Sequence, residues 1–243
     1  MINKNCPSRS SVKFNFFFLL TLLFCFTALG AQKESGSLDT DLAPFEMIKL
    51  LGYFEVELIA GEQERIEVKS HGVNPERISI SQQNRTLKVS TLRPFMDDDI
   101  EIEITIYYRT LTSLVAGAGA QIESDDIIKT EEFYLNGGSG SEVFLEFETR
   151  KLEVQAGEGA HLTLKGSTDE LRAGANTGGI FDGHRLSSQN ARLRAGTGGE
   201  VSANVSSSLD AKANTGGIIR YQGNPEEVNV RTILGGEIKA LNR

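Results

Sequence analysis

The sequence predicts an all-β solenoid of stacked turns about 19 residues long, with an N-terminal β segment that starts or caps the stack. Three observations carry this reading. Seven short segments align on a shared glycine at near-constant spacing, apolar and polar residues alternate with period two around each glycine, and no stretch after residue 30 sustains a helical period.

In chain order, residues 1–13 carry Lys4, Arg9 and Lys13 and no acid, residues 14–29 are almost entirely apolar, and Ala28, Leu29 and Gly30 follow. A basic region, an apolar core and small residues at a cleavage position read as a signal peptide over 1–30. The apolar run is at the short limit for spanning a bilayer and lacks a stop-transfer block. Phe24 before Cys25 is too bulky for a usual lipoprotein signal, so acylation at Cys25 is disfavoured. Removing 1–30 takes three positive charges with it and moves the formal net charge from −8 to −11. Cys6 and Cys25 leave too, so the exported chain holds no disulfide and no thiol chemistry. Its destination would be periplasm, outer-membrane surface or exterior.

Residues 31–44 read as a short linker, and 45–243 as a single domain. Within it, 45–51, 54–59, 65–69, 76–81, 86–92 and 100–108 alternate apolar and polar residues, but only three glycines stand between 45 and 113. Turn signals separate these runs at Gly61, at Asn74-Pro75 and at Pro94. Residues 45–113 therefore form the hairpin-like segment at one end of the solenoid, where a cap prevents edge-to-edge association.

From residue 114 the repeat is explicit. The segments 114–122 (LVAGAGAQI), 135–143 (LNGGSGSEV), 154–162 (VQAGEGAHL), 173–181 (AGANTGGIF), 193–201 (LRAGTGGEV), 211–219 (AKANTGGII) and 230–238 (VRTILGGEI) share Gly119, Gly140, Gly159, Gly178, Gly198, Gly216 and Gly235, at spacings of 21, 19, 19, 20, 18 and 19. Apolar residues stand five before and three after each glycine, so each glycine marks a corner between two half-buried strands. A corner favours a residue that tolerates positive φ and leaves room for a neighbouring backbone. A unit this short cannot bury its own apolar face, so the turns must stack, ~4.8 Å apart. Stacking puts Thr177, Thr197 and Thr215 in register, and Asn176 and Asn214 in turns two apart. Such ladders form either a flat ligand-binding face or polar stacking that satisfies itself, and the second is the simpler reading.

Two phrases flank the repeat: Phe45-Glu-Met-Ile48 leading to Gly52-Tyr-Phe54-Glu-Val56-Glu-Leu58, and Ile219-Arg-Tyr221-Gln-Gly223-Asn-Pro225. With the glycine corners and the signal segment, they resemble the auto-transporter adhesin head GIN domain proteins, exported β-helix proteins of Bacteroidetes-type bacteria. The resemblance spans about residues 45–240 and implies a right-handed parallel β-helix, a place in the envelope or outside it, and adhesin-like binding. It brings no catalytic residues. This chain has Thr or Asn at corners where relatives often have Ser.

Asp97, Asp98 and Asp99 read as a solvated loop, Asp125-Asp126 is the only other aspartate run, and the calcium nonapeptide is absent. His71, His161 and His184 lack metal-ligand spacing, and no GxSxG or phosphate loop occurs. The expectation is no catalytic, metal or cofactor site. A carbohydrate-active enzyme on the same fold is the alternative, and would need carboxylates stacked against Arg or Lys. Arg172, Arg192 and Arg194 form the nearest basic cluster, and no carboxylate is expected at matching offsets in adjacent turns. Residues 97–148 hold 13 acids and 2 bases, whereas 31–96 and 149–243 are near balance, so one section carries the net charge. An acidic chain with a pI near 5.1 excludes a dedicated nucleic-acid binder. The expected role is a non-enzymatic adhesin-like surface or envelope module whose partner is a glycan or cell-surface protein; a structural, self-associating protein is the third reading.

Overall fold

The computed structural model describes residues 35–91 and 100–241. The expected signal segment, both cysteines and the run at 97–99 lie outside the described residues. The strands, in order, are β1 (Ser35–Asp41), β2 (Met47–Leu51), β3 (Glu55–Ala60), β4 (Arg65–His71), β5 (Ile78–Gln83), β6 (Thr86–Thr91), β7 (Glu101–Tyr108), β8 (Ser113–Gly117), β9 (Gln121–Gly137), β10 (Glu142–Ala156), β11 (His161–Ala175), β12 (Ile180–Ala195), β13 (Glu200–Asn214), β14 (Ile218–Gln222), β15 (Glu227–Ile233) and β16 (Glu237–Ala240). One 3-10 turn, Pro75–Arg77, is capped by the Asn74 side chain, which accepts from the Glu76 amide. The chain is a β-solenoid of about seven turns, as the glycine period predicts.

Each full turn is one long strand folded into two arms. In β10, Val143, Leu145, Phe147 and Thr149 point inward, and then Leu152, Val154 and Ala156 do so with the opposite parity, which places a bend at Arg150-Lys151.

 Ala156 closes that second arm, and the same pattern recurs in β9, β11, β12 and β13, which stack in parallel register. At the bend, inward hydroxyls form a ladder: Thr149 Oγ1 donates to Thr168 Oγ1 at 3.2 Å, and Ser188 Oγ donates to the Asn204 carbonyl at 2.7 Å. These bonds supply partners for polar groups that the bend buries.

The glycine corners are tight turns in which two successive residues take positive φ. The shared glycine has φ between 71° and 82° in all seven, and the residue before it, such as Thr177 at 53°, joins it in the left-handed region. That is the type I′ arrangement, which suits strands with a right-handed twist. Corners also bond to one another: the Gly159 amide donates to the Thr177 carbonyl, Gly178 to Thr197 and Gly198 to Thr215, each at 3.2 Å. Beyond Gly119, which lies against the Tyr53 ring, the shared glycine is needed for its φ alone, because a Cβ at Gly178 or Gly198 would meet nothing within 4 Å. The close approach expected at that residue falls one position later, where a Cβ at Gly199 would lie 2.2 Å from the Ala175 carbonyl oxygen. The threonine ladder is exposed, and Asn176 and Asn214 both reach the space left open by Gly196.

Unequal repeat lengths are absorbed by irregularities on the first arm. Register shifts fall between Phe144 and Glu146 against β9, between Thr163 and Lys165 against β12, and at Gly183 to Ser187 against β13. Corners and second arms consequently stay aligned.

Residues 45–113 both start the stack and close it. β2 and β3 form a turn of their own around Gly52, pairing in parallel with β8 and β9, and they bury Phe45, Ile48, Leu50, Phe54, Val56 and Leu58 of the opening phrase. The inserted strands then cover that end: β7 pairs in parallel with β3 and antiparallel with β4, and β6 pairs in parallel with β2 and antiparallel with β5. Ser35–Asp41, within the stretch expected to be a linker, adds β1 antiparallel to β4.

Tyr108, at the end of β7, is buried, and its hydroxyl has no hydrogen-bond partner. Neighbouring Ser124 gives its proton to the Leu58 carbonyl at 2.6 Å. Burial, reinforced by the Asp126 charge, pushes the phenol up to about 12. The folded state therefore holds the proton more tightly than the unfolded chain. Its contribution is fully present below the ordinary phenol value of ~10 and is lost as pH rises towards the folded value. Tyr108→Phe is expected to leave the melting temperature at neutral pH unchanged or slightly raised, because no bond is broken. It should also reduce the loss of melting temperature between pH 10 and about 12. Parallel alkaline melting curves of the two proteins check this.

Candidate functional site

Alternation sends every second residue of a strand outward, and parallel register stacks those residues in columns. On the first arm, one column runs Glu103, Glu55, Gln121, Glu142, His161, and the next runs Thr105, Glu57, Glu123, Phe144, Thr163. These columns line an open groove of about 630 Å³. Three acids of the acidic section, Glu103, Glu123 and Glu142, thus share one face, joined by Glu55 and Glu57 from β3. Lys69 on β4 lies beside Glu103 at its margin.

Phe144 interrupts the carboxylates. It points outward with 38% of its surface exposed, although Phe147 in the same strand is fully buried. Lys165 Nζ stands 5.5 Å and Arg185 Cζ 5.9 Å from its ring centre, both within cation–π reach. Lys165 also pairs with Glu146 at 2.9 Å. The result is a partly open aromatic ring beside two cations at one end of an acidic row. Such a surface offers a ligand an apolar contact, hydrogen-bond acceptors and both signs of charge.

The second arm carries a different pattern. Its outer column reads Tyr134, Glu153, Arg172, Arg192, Asp210, Asn229. Here the expectation of no matching carboxylate is corrected: Asp210 stands in register with Arg192 one turn away, and it pairs with Arg192 at 3.4 Å and Arg194 at 3.2 Å. A hydrogen bond from Arg194 is the largest influence on the Asp210 carboxyl and, with the charges of both arginines, outweighs the opposing effect of burial and holds it below the usual range. Glu132 on the same arm is lowered in the same way by Lys151, 3.1 Å away, with Arg150 assisting. These pairs are exposed and screened by solvent, and they form alternating cross-strand ladders.

The histidines are not brought together. His71 on β4 bonds Ser35 Oγ at 3.0 Å, His161 lines the acidic groove, and His184 on β12 pairs with Asp182. Asp126 accepts from the Ala60 amide at 2.7 Å and ties β9 to the end of β3. Among the described residues no group of three or more His, Cys, Asp or Glu is placed to hold a metal ion. Phe144 is the site residue the sequence reading missed; its signal was an aromatic at an outward position of an alternating strand.

Residues 44–225 match the family described as "Putative auto-transporter adhesin, head GIN domain". Among solved structures, the chain is similar to a "putative adhesin" from Bacteroides fragilis, with 17% identity, a TM-score of 0.77 and coverage of 86% of this chain and 98% of that one. It is also similar to a "putative adhesin" from Parabacteroides distasonis, with 16% identity, a TM-score of 0.68 and coverage of 86% and 98%. A "Putative lipid binding protein" from the same species has 14% identity, a TM-score of 0.64 and coverage of 87% and 98%. No curated protein matches the chain.

Proposed function

Because the chain belongs to the auto-transporter adhesin head GIN domain family, we propose that it is an exported, non-enzymatic binding module that holds a glycan or a cell-surface protein on the outer face of its first arm. The observation that carries this reading is Phe144, an exposed ring set into a groove of stacked carboxylates and flanked by Lys165 and Arg185. Exposed aromatic and cationic side chains are the usual anchors of recognition surfaces. The solenoid repeats its outward columns turn after turn, which suits an extended ligand that contacts several turns at once. Export rests on the basic and apolar segment at 1–30.

A glycan array combined with a cell-binding assay tests the reading. The wild-type protein should bind, and Phe144→Ala should weaken binding at least ~10-fold, equivalent to ~1.4 kcal/mol, with the melting temperature unchanged. Undiminished binding by Phe144→Ala would remove the ligand from this face. Release of new reducing ends from a bound polysaccharide would show a carbohydrate-active enzyme instead.

A further inference from the structure

The two ends of the solenoid differ. At the N-terminal end the stack turns antiparallel and finishes in β1 and β5, whose residues are mostly polar. At the other end, β15 pairs with β13 along one edge, and its second edge has no partner among the described residues. All seven residues of β15 are exposed. Val228 and Val230 continue the inward columns Leu152, Leu171, Ala191, Leu209 and Val154, Ala173, Leu193, Ala211. Leu209 and Ala211 are 2% and 1% exposed, whereas Val228 and Val230 are 47% and 48% exposed. The core is open at this end, and an unpaired apolar strand is a template for another strand.

The sequence of β15 indicates which strand. Glu227-Val228-Asn229-Val230-Arg231 reads the same in both directions with the charge reversed. We propose that β15 is the seam of a tail-to-tail dimer, in which two copies pair antiparallel about Asn229. Glu227 then faces the partner's Arg231, Val228 faces the partner's Val230, and the open columns of the two copies cover each other. Neither Glu227 nor Arg231 has an ion-pair partner within its own chain among the described residues. A parallel arrangement would set like charges opposite each other, which is unfavourable. A head-to-tail stack would place Val228 and Val230 against the polar strands of the other end. The antiparallel contact is self-complementary and closes on itself, so it gives a dimer and not a filament.

Light scattering over a concentration series of the purified protein should find a dimer that dissociates on dilution. Val230→Arg should be monomeric with an unchanged circular dichroism spectrum, because the residue it replaces is exposed. Glu227→Arg and Arg231→Glu should each weaken self-association at least ~10-fold, since each sets like charges across the seam. Mixed in equal amounts, those two variants should associate with each other, because every pair across the seam is then opposite in sign. A wild-type protein that stays monomeric at the highest concentration overturns the proposal. So does a dimer whose affinity neither charge reversal changes, or a mixture that fails to associate.

Discussion

Gly166→Ala is expected to destabilise the protein by ~4 kcal/mol, while Gly159→Ala costs only ~1 kcal/mol. Gly159 belongs to the conspicuous repeat, but its requirement is conformational: φ is +74° and a Cβ would meet nothing within 4 Å. Alanine can take that conformation at a modest cost, partly offset because it also restricts the unfolded chain. Gly166 lies inside β11, with φ at +106° and a would-be Cβ 2.0 Å from the Phe147 carbonyl oxygen of the preceding turn. Alanine there is strained and also pushes apart two hydrogen-bonded strands whose backbones cannot yield separately. The loss is a large share of the ~5–15 kcal/mol that a domain has in total. Urea unfolding of both variants decides the matter: equal midpoints, or a milder effect at Gly166, would show that the strands relax and that corner geometry governs stability.

That contrast explains what was legible in the sequence. Corners show in sequence because one backbone position demands positive φ and glycine meets it most cheaply, so the same letter recurs about every 19 residues. The position before it is equally left-handed but carries Ala118, Ser139, Glu158, Thr177, Thr197, Thr215 or Leu234, with no shared chemistry to mark it. Gly166 and Gly223 each stand seven residues after a corner glycine, and a Cβ on either would meet the carbonyl of the residue at the same offset one turn earlier, Phe147 or Val205, so the pairing was legible from the alignment although nothing local showed how closely the two backbones approach. Strand pairing in residues 45–113 was hidden for a related reason: period-two alternation is the same in parallel and antiparallel strands, so nothing local told the first solenoid turn, β2 and β3, from the hairpins that cover it.

The candidate site divides the same way. The charge excess of 97–148 indicated an acidic face, but Glu55 and Glu57 join it through pairing of segments far apart in sequence. Asp210 stands six residues before Gly216, as Arg192 stands six before Gly198, so their pairing was legible from the alignment once offsets were compared.

Removing the Phe181 ring is the second large perturbation. Phe181→Ala should cost ~3–5 kcal/mol, towards the upper end for Phe-to-Ala changes in a core. The ring is fully buried, and it fills the space that a side chain at Gly183 would occupy, since a Cβ there would lie 2.6 Å from the ring Cζ. Gly183 pairs in register with Ala203 on β13, so the adjoining column is already lined by the two smallest residues. Small neighbours have no atoms to move into the cavity, and the cost depends on how far a site can collapse. Phe181→Leu restores part of the volume and should recover more than half of the loss. The damage should also be localised, because each turn of a solenoid contacts mainly its neighbours. Amide exchange in Phe181→Ala should quicken in β11, β12 and β13 well before it does in β3, β4 and β7 at the covered end. Uniform loss of protection along the whole stack would mean that the solenoid unfolds as a single cooperative unit, with its capped end no more stable than its middle.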